Sequence, residues 1–200
     1  MKTLVTILSL TALLASESLF GQNEPLAADK ENFTKEATMT NHTIVERPAL
    51  IVIGIELRTS NAPEAGPKDI PQHWKRFYDE DIINRIPHKI SNEVIALYCD
   101  YEGDYTQPYS LIIGCPVSAL DTIPEGMVAK TIPAGSYAVF HAVGEYPASL
   151  IETWGAIWQH TDLKRTYTGD YEFYSEKFAL GSPKEVEVYI AVENQAAHND

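Results

Sequence analysis

The chain has 200 residues, 44% apolar and 10% aromatic, which is enough to bury a core; its 22% charged content is near the globular average rather than that of a disordered chain. Acidic residues outnumber basic ones 28 to 15, and the formal charge of −13 repels phosphate backbones and anionic membrane faces. That balance argues against nucleic acid as a partner and leaves cationic ligands, neutral ligands and proteins open.

Residues 1–22 read as an export signal. Lys2 gives a short positive start, Leu4 to Ala15 is an uncharged apolar run, and Ser16, Ser18 and Gly21 supply the small residues a signal peptidase accepts. The run falls short of the roughly 20 apolar residues a membrane-spanning helix needs, so no span is expected after cleavage. The expected location is periplasmic or secreted. Residues 23–42 are polar, without a sustained apolar stripe, and read as a flexible tail; the domain is expected over 43–195.

Within that domain the spacing predicts an apolar strand at Ala49–Leu57, then a helix over Lys68–Ile86 with Ile70, Trp74, Phe77, Tyr78 and Ile82 at helical spacing. Two hairpin strands follow, around Glu93–Tyr101 and Pro108–Pro116. The second half offers a strand pair, Met127–Ile132 and Ser136–Val143, joined by Pro133-Ala134-Gly135. A helix at Pro147–His160 carries Leu150, Ile151, Trp154, Ile157 and Trp158 on one side. Strands near Tyr171–Glu176 and Glu185–Glu193 close the chain. The order is strand, helix, strand, strand, twice over, an α+β pattern. Each half would be a helix on a small antiparallel sheet with one bare face. Two such halves burying those faces would leave a ligand cleft at their junction.

The two cysteines, Cys99 and Cys115, fall on the two hairpin strands. Pairing those strands about a turn near Glu102–Gln107 puts Cys99 opposite about Ser110 and Cys115 opposite about Val94. The sulfurs are then about 15 Å apart along the strands, beyond disulfide reach. Two free thiols are expected.

Signatures of metalloproteases, dinucleotide- or phosphate-binding loops and nucleophile elbows are absent from the sequence, and its six histidines are scattered. No metal and no cofactor are expected. One constellation carries chemistry: Asp170-Tyr171-Glu172-Phe173-Tyr174. On a strand, Asp170, Glu172 and Tyr174 share one face and Tyr171 and Phe173 the other. Turned inward, Glu172 is a carboxylate among aromatics that wants a cation or a proton, and Tyr and Trp faces attract the same cation. Tyr189 lies on the adjacent strand, alternating with Val188 and Ile190.

Several stretches resemble the GyrI-like small-molecule-binding superfamily, also met as the effector-binding domain of AraC- and MerR-type regulators. They are the helix with Trp154 and Trp158, the run Gly169 to Tyr174, and the closing Val186 to Val192. Tyr98–Val117 with Thr131 to Tyr137 is most similar to the integron-associated effector-binding branch. The resemblance implies that Glu172 sits in the cleft and engages lipophilic cations, and that Tyr189 lines the pocket. Trp74, Tyr98, Trp154 and Tyr174 complete the implied lining. An export signal and only about 20 residues before the domain set the chain apart from the regulators, so control of DNA is the family function not expected here.

Two functions follow. The first is non-catalytic binding of lipophilic or aromatic cations. The alternative is a hydrolase that opens strained electrophilic rings, as the resemblance to some superfamily members implies, with Glu172 as general base helped by Tyr174 or Tyr189. Binding is favoured because a lone carboxylate with tyrosines suffices for it. Haem binding, suggested by the related SOUL domains, lacks a persuasive axial histidine.

Overall fold

The structure is a computed structural model and describes residues 41–194. Several strands are apolar at nearly every position because both of their faces are covered. In β2 (Leu50–Thr59), Ile53 and Ile55 join the layer beneath the helices while Val52 joins the layer on the other face. In β3 (Val94–Cys99), Ala96 and Tyr98 face the helical layer, and Ile95, Leu97 and Cys99 face away from it. The remaining strands are β1 (Thr43–Arg47), β4 (Tyr109–Val117), β5 (Val128–Ile132), β6 (Gly135–Gly144), β7 (Asp170–Tyr174) and β8 (Lys184–Val192).

Helix α1 (Gly66–Asp79) stops short of the expected span. Asp81 takes a left-handed backbone (φ 50°) and a separate turn of helix follows, α2 (Ile82–Arg85). Helix α3 (Ala148–Gln159) buries Leu150, Thr153, Trp154 and Ile157, the spacing of one helical face. Beyond β7, Ser175 caps the short α4 (Glu176–Leu180), its Oγ accepting from Lys177 N at 3.3 Å. The sequence reading did not anticipate β1 or α4. Among the described residues no helix is long and apolar enough to cross a membrane. The expected signal at 1–22 and nearly all of the expected tail at 23–42 lie outside the described residues.

All eight strands form one antiparallel sheet in the order β1-β6-β8-β7-β3-β4-β2-β5, curled into a half-barrel. This corrects the expected assembly. The units β2-α1-β3-β4 and β6-α3-β7-β8 do not bury two sheet faces against each other. They join edge to edge where β3 pairs with β7, with Ala96 opposite Glu172 and Tyr98 opposite Asp170.

The expected hairpin of Met127–Ile132 with Ser136–Val143 is also corrected: β5 pairs with β2, while β6 pairs with β1 and β8. Two residues, Pro133 and Ala134, connect strands near opposite edges of the sheet. Three peptide steps span at most about 11 Å, so the sheet must curl until those edges approach. Pro48-Ala49 makes the same crossing from β1 to β2. Thr43↔Val139, Arg47↔Gly135, Leu50↔Ile132 and Gly54↔Val128 keep one register throughout, so residues 43–54 and 128–139 form a single bent ribbon. Prolines cannot donate to a ladder, and the ribbon bends where Pro48 and Pro133 interrupt it. Gly54 and Gly114 cross closely on β2 and β4: a Cβ on Gly54 would lie 2.2 Å from Ile113 O, so only glycine fits.

Cys99 pairs with Ser110 as expected. Cys99 and Cys115 are both free and belong to opposite faces of the sheet.

Candidate ligand-binding site

The site forms at the seam between the two halves, under α3. Glu172, in the middle of β7, lies opposite Ala96 on β3 and Val188 on β8, and is 2% exposed. Three neutral donors reach its carboxylate. Tyr98 Oη donates to Oε1 at 2.8 Å, Trp154 Nε1 to Oε1 at 2.7 Å, and Tyr174 Oη to Oε2 at 2.7 Å. Among the described residues no cationic side chain pairs with it. Burial pushes its carboxyl above the ordinary range, and the bonds from Tyr174, Trp154 and Tyr98 pull it only part of the way back. Burial, reinforced by the Glu172 charge, raises the Tyr98 and Tyr174 phenols well above theirs, so both keep the protons they donate.

In front of Tyr98 and Trp154 opens a cavity of about 140 Å³ walled by Tyr98, Tyr101, Tyr105, Tyr109, Trp154 and Trp158. Tyr105 and Trp158 stack across it with centroids 5.5 Å apart and planes 6° from parallel. Asn61 pins this wall: its Nδ2 donates to Tyr105 O and its Oδ1 accepts from Tyr109 Oη, both at 2.8 Å. Asp170 lies behind Tyr101, whose Oη donates to Asp170 Oδ2 at 3.1 Å. Unlike Glu172 it has a countercharge, Arg165 Nη2 at 2.6 Å. What the arrangement offers is an apolar, π-rich slot backed by one carboxylate without a cation.

A family model described as "Cass2: Integron-associated effector binding protein" matches residues 43–192. The chain belongs to this effector-binding family, within the GyrI-like fold group. It is therefore a small-molecule-binding domain. An integron cassette protein from the mobile metagenome of Vibrio cholerae is 30% identical, with a TM-score of 0.60 over 76% of this chain and 95% of that one. YobU of Bacillus subtilis is 31% identical over 143 residues, 70% of this chain and 89% of YobU. The transcriptional regulator BrlR of Pseudomonas aeruginosa is 32% identical over 157 residues, 74% of this chain but 54% of BrlR, about half its length. The fold also matches SAV2435, whose structure was solved bound to tetraphenylphosphonium, at 17% identity and a TM-score of 0.64 over 80% of this chain and 98% of that one.

For this Cass2-family domain the structure gathers Glu172, Tyr98, Trp154 and Tyr174 into one hydrogen-bonded group. Trp74 stands one layer back, edge-on to Tyr174 at 5.0 Å. Tyr189 does not join them, which corrects its assignment to the pocket. It pairs with Tyr171, whereas Glu172 pairs with Val188, so strand alternation sends Tyr189 to the opposite face. There its ring stacks on Tyr171 at 4.4 Å, and its hydroxyl accepts from Arg47 Nη2 at 2.5 Å and donates to Glu187 Oε2 at 2.7 Å. That placement also removes Tyr189 as a helper for Glu172 in base catalysis. The reading of the sequence missed Tyr101, Tyr105 and Tyr109 as lining; their density between Tyr98 and Tyr109 was the available signal. On the strands β6 and β8, His141, Glu185 and Glu187 come together, but Lys177 Nζ already bonds both carboxylates, at 3.0 and 3.4 Å.

Proposed function

We propose that the domain binds lipophilic organic cations in the aromatic slot, with Glu172 as the countercharge. The observation that carries this reading is a buried carboxylate held by neutral donors alone. Such a group is poorly solvated as an anion, and a cation brought against it recovers Coulomb energy in a low-dielectric setting. The phenol and indole faces in front of it favour the same charge, each desolvated contact contributing up to about 2 kcal/mol. The tetraphenylphosphonium held by SAV2435, which shares the fold, supports this ligand class. A cavity of about 140 Å³ is smaller than drug-sized pockets, so a ligand of that bulk requires Tyr105 and Trp158 to part. Binding takes place outside the cytoplasm, a location supported by Lys2 and the Leu4–Ala15 run.

Titration calorimetry with an aromatic quaternary ammonium and a neutral compound of the same shape tests the site. Glu172→Gln should weaken the cation about tenfold or more, equivalent to about 1.4 kcal/mol, and leave the neutral compound unchanged. Equal affinities for the cation in both proteins would sink the reading.

A further inference from the structure

Two buried carboxylates stand behind the same cavity wall, and only one is balanced. Asp170 (0% exposed) and Glu172 (2%) lie two residues apart on β7, about 7 Å along the strand. Each accepts a hydrogen bond from a tyrosine that lines the cavity, Asp170 from Tyr101 and Glu172 from Tyr98. Arg165 attends Asp170 alone, with its side chain 5% exposed.

The way Arg165 is held is informative. A guanidinium seated by geometry spends its donors in a fixed fork. Here Nε and Nη1 have no hydrogen-bond partner although both are buried. The group is held by one carboxylate and by ring faces: its central carbon lies 4.5 Å from the Tyr167 centroid and 5.8 Å from that of Tyr105, which also lines the cavity. Tyr167 has a left-handed backbone (φ 56°), uncommon for so bulky a residue, and its ring covers the guanidinium from there. A carboxylate with aromatic faces is the same set of elements that Glu172 and its neighbours present to a ligand.

We infer that Arg165 is a resident cation filling a second cation subsite, and that it restricts the ligand to a single positive charge. This rests on Glu172 being the countercharge of the ligand. A monocation meets Glu172 and no competing charge. A dication of short spacing brings its second charge toward a guanidinium that already satisfies Asp170, and like charges repel strongly where water is excluded. Asp170 Oδ1 also accepts from Ala191 N at 2.8 Å, so the pair ties β7 to β8 as well. The test must separate that structural role from selectivity.

An aromatic mono-quaternary ammonium and a short bis-quaternary ammonium of the same skeleton are titrated into the full chain, Arg165→Gln, Arg165→Gln/Asp170→Asn and Glu172→Gln. The ratio of mono- to dication affinity should fall tenfold or more in Arg165→Gln and return in the double variant, which has no second acid. An unchanged ratio in an Arg165→Gln protein with wild-type circular dichroism overturns the inference. Should Arg165→Gln not fold, Asp170→Asn replaces it. That variant leaves Arg165 unbalanced and should lose about tenfold in monocation affinity but none for the neutral analogue. Equal effects on the two ligands overturn the inference. If Glu172→Gln binds the monocation normally, it is the assignment of Glu172 that fails, and the ratio measurement shows this separately.

Discussion

Tyr98 and Glu172 are 74 residues apart in the chain and 2.8 Å apart in space. The β3–β7 register sets Ala96 opposite Glu172, so Tyr98, two residues along the same face, is the diagonal neighbour within reach of its carboxylate. The contact lies on the seam that joins the two halves of the sheet. A carboxylate in mid-sheet under a helix is buried by its position, and the join supplies donors from both halves: Tyr98 from the first, Trp154 and Tyr174 from the second.

Removing a donor should therefore act on both stability and ligand. Tyr98→Phe and Trp154→Phe each leave a buried carboxylate short of one hydrogen bond, which costs about 1–3 kcal/mol. Both variants should unfold at lower temperature. Both should also bind an organic cation more weakly at neutral pH, because the anion that the cation needs has lost support. Thermal unfolding and calorimetry measured together would show the two effects; a stability loss with unchanged cation affinity would place these groups outside the binding chemistry.

Tyr189 provides the contrast. Tyr189→Phe removes a hydroxyl that accepts from Arg47 and donates to Glu187 on the face away from the cavity. It should lower stability by about 1 kcal/mol and leave the affinity for a cation unchanged. A weakened ligand would mean that the two faces are coupled.

Cys99 and Cys115 should alkylate slowly in the native protein and completely after denaturation without reductant. Burial raises the Cys99 thiol to about 12 and the Cys115 thiol to about 11, so little thiolate exists at neutral pH. Their places on opposite faces of the sheet prevent a cross-link. Mass spectrometry should count two labels in the unfolded chain, and a count of zero would show a disulfide.

Much of the site was legible because alternation along a strand is a local property. Asp170, Glu172 and Tyr174 could be set on one face from the run of five alone, and the Cys99–Ser110 pairing followed from a turn. Tyr189 failed for a reason alternation cannot address. Its face depends on whether Tyr171 or Glu172 stands opposite, a one-residue choice of register between separate strands. The edge-to-edge join of β3 with β7 and the bent ribbon at Pro48 and Pro133 are long-range pairings of the same kind. Helices α1 and α3 were legible from simple periodicity, except where Asp81 breaks the first, whereas the five-residue α4 is too short to show a period. Arg165 sits in a polar stretch that offered no pattern, and it acquires meaning only through Asp170 and the tyrosine rings around it.

The raised carboxyl of Glu172 should give the ligand-free and cation-bound proteins opposite responses to pH. Its carboxyl is raised in the folded chain, so above the ordinary glutamate value of about 4.3 the fold retains a proton that the unfolded chain has released. Stability from this group is complete below that value and is lost as pH rises through the folded one. On the proposed reading a cation should reverse the preference by binding the ionised form and expelling the proton, and its affinity should rise across the same window. The tyrosines that donate to Glu172 keep their protons there, because burial raises them further. Asp170 is raised as well, by burial against the opposing pull of Arg165, and contributes its own slope to every protein that carries it. Glu172→Gln leaves that slope intact and removes only the contribution of Glu172. Unfolding temperatures from pH 4 to 8, with and without an aromatic quaternary ammonium, should therefore diverge between wild type and Glu172→Gln. Without ligand the wild type should lose stability with rising pH faster than the variant, and with ligand it should gain more. Parallel curves for the two proteins would show that Glu172 does not titrate in this range and that its charge does not govern binding.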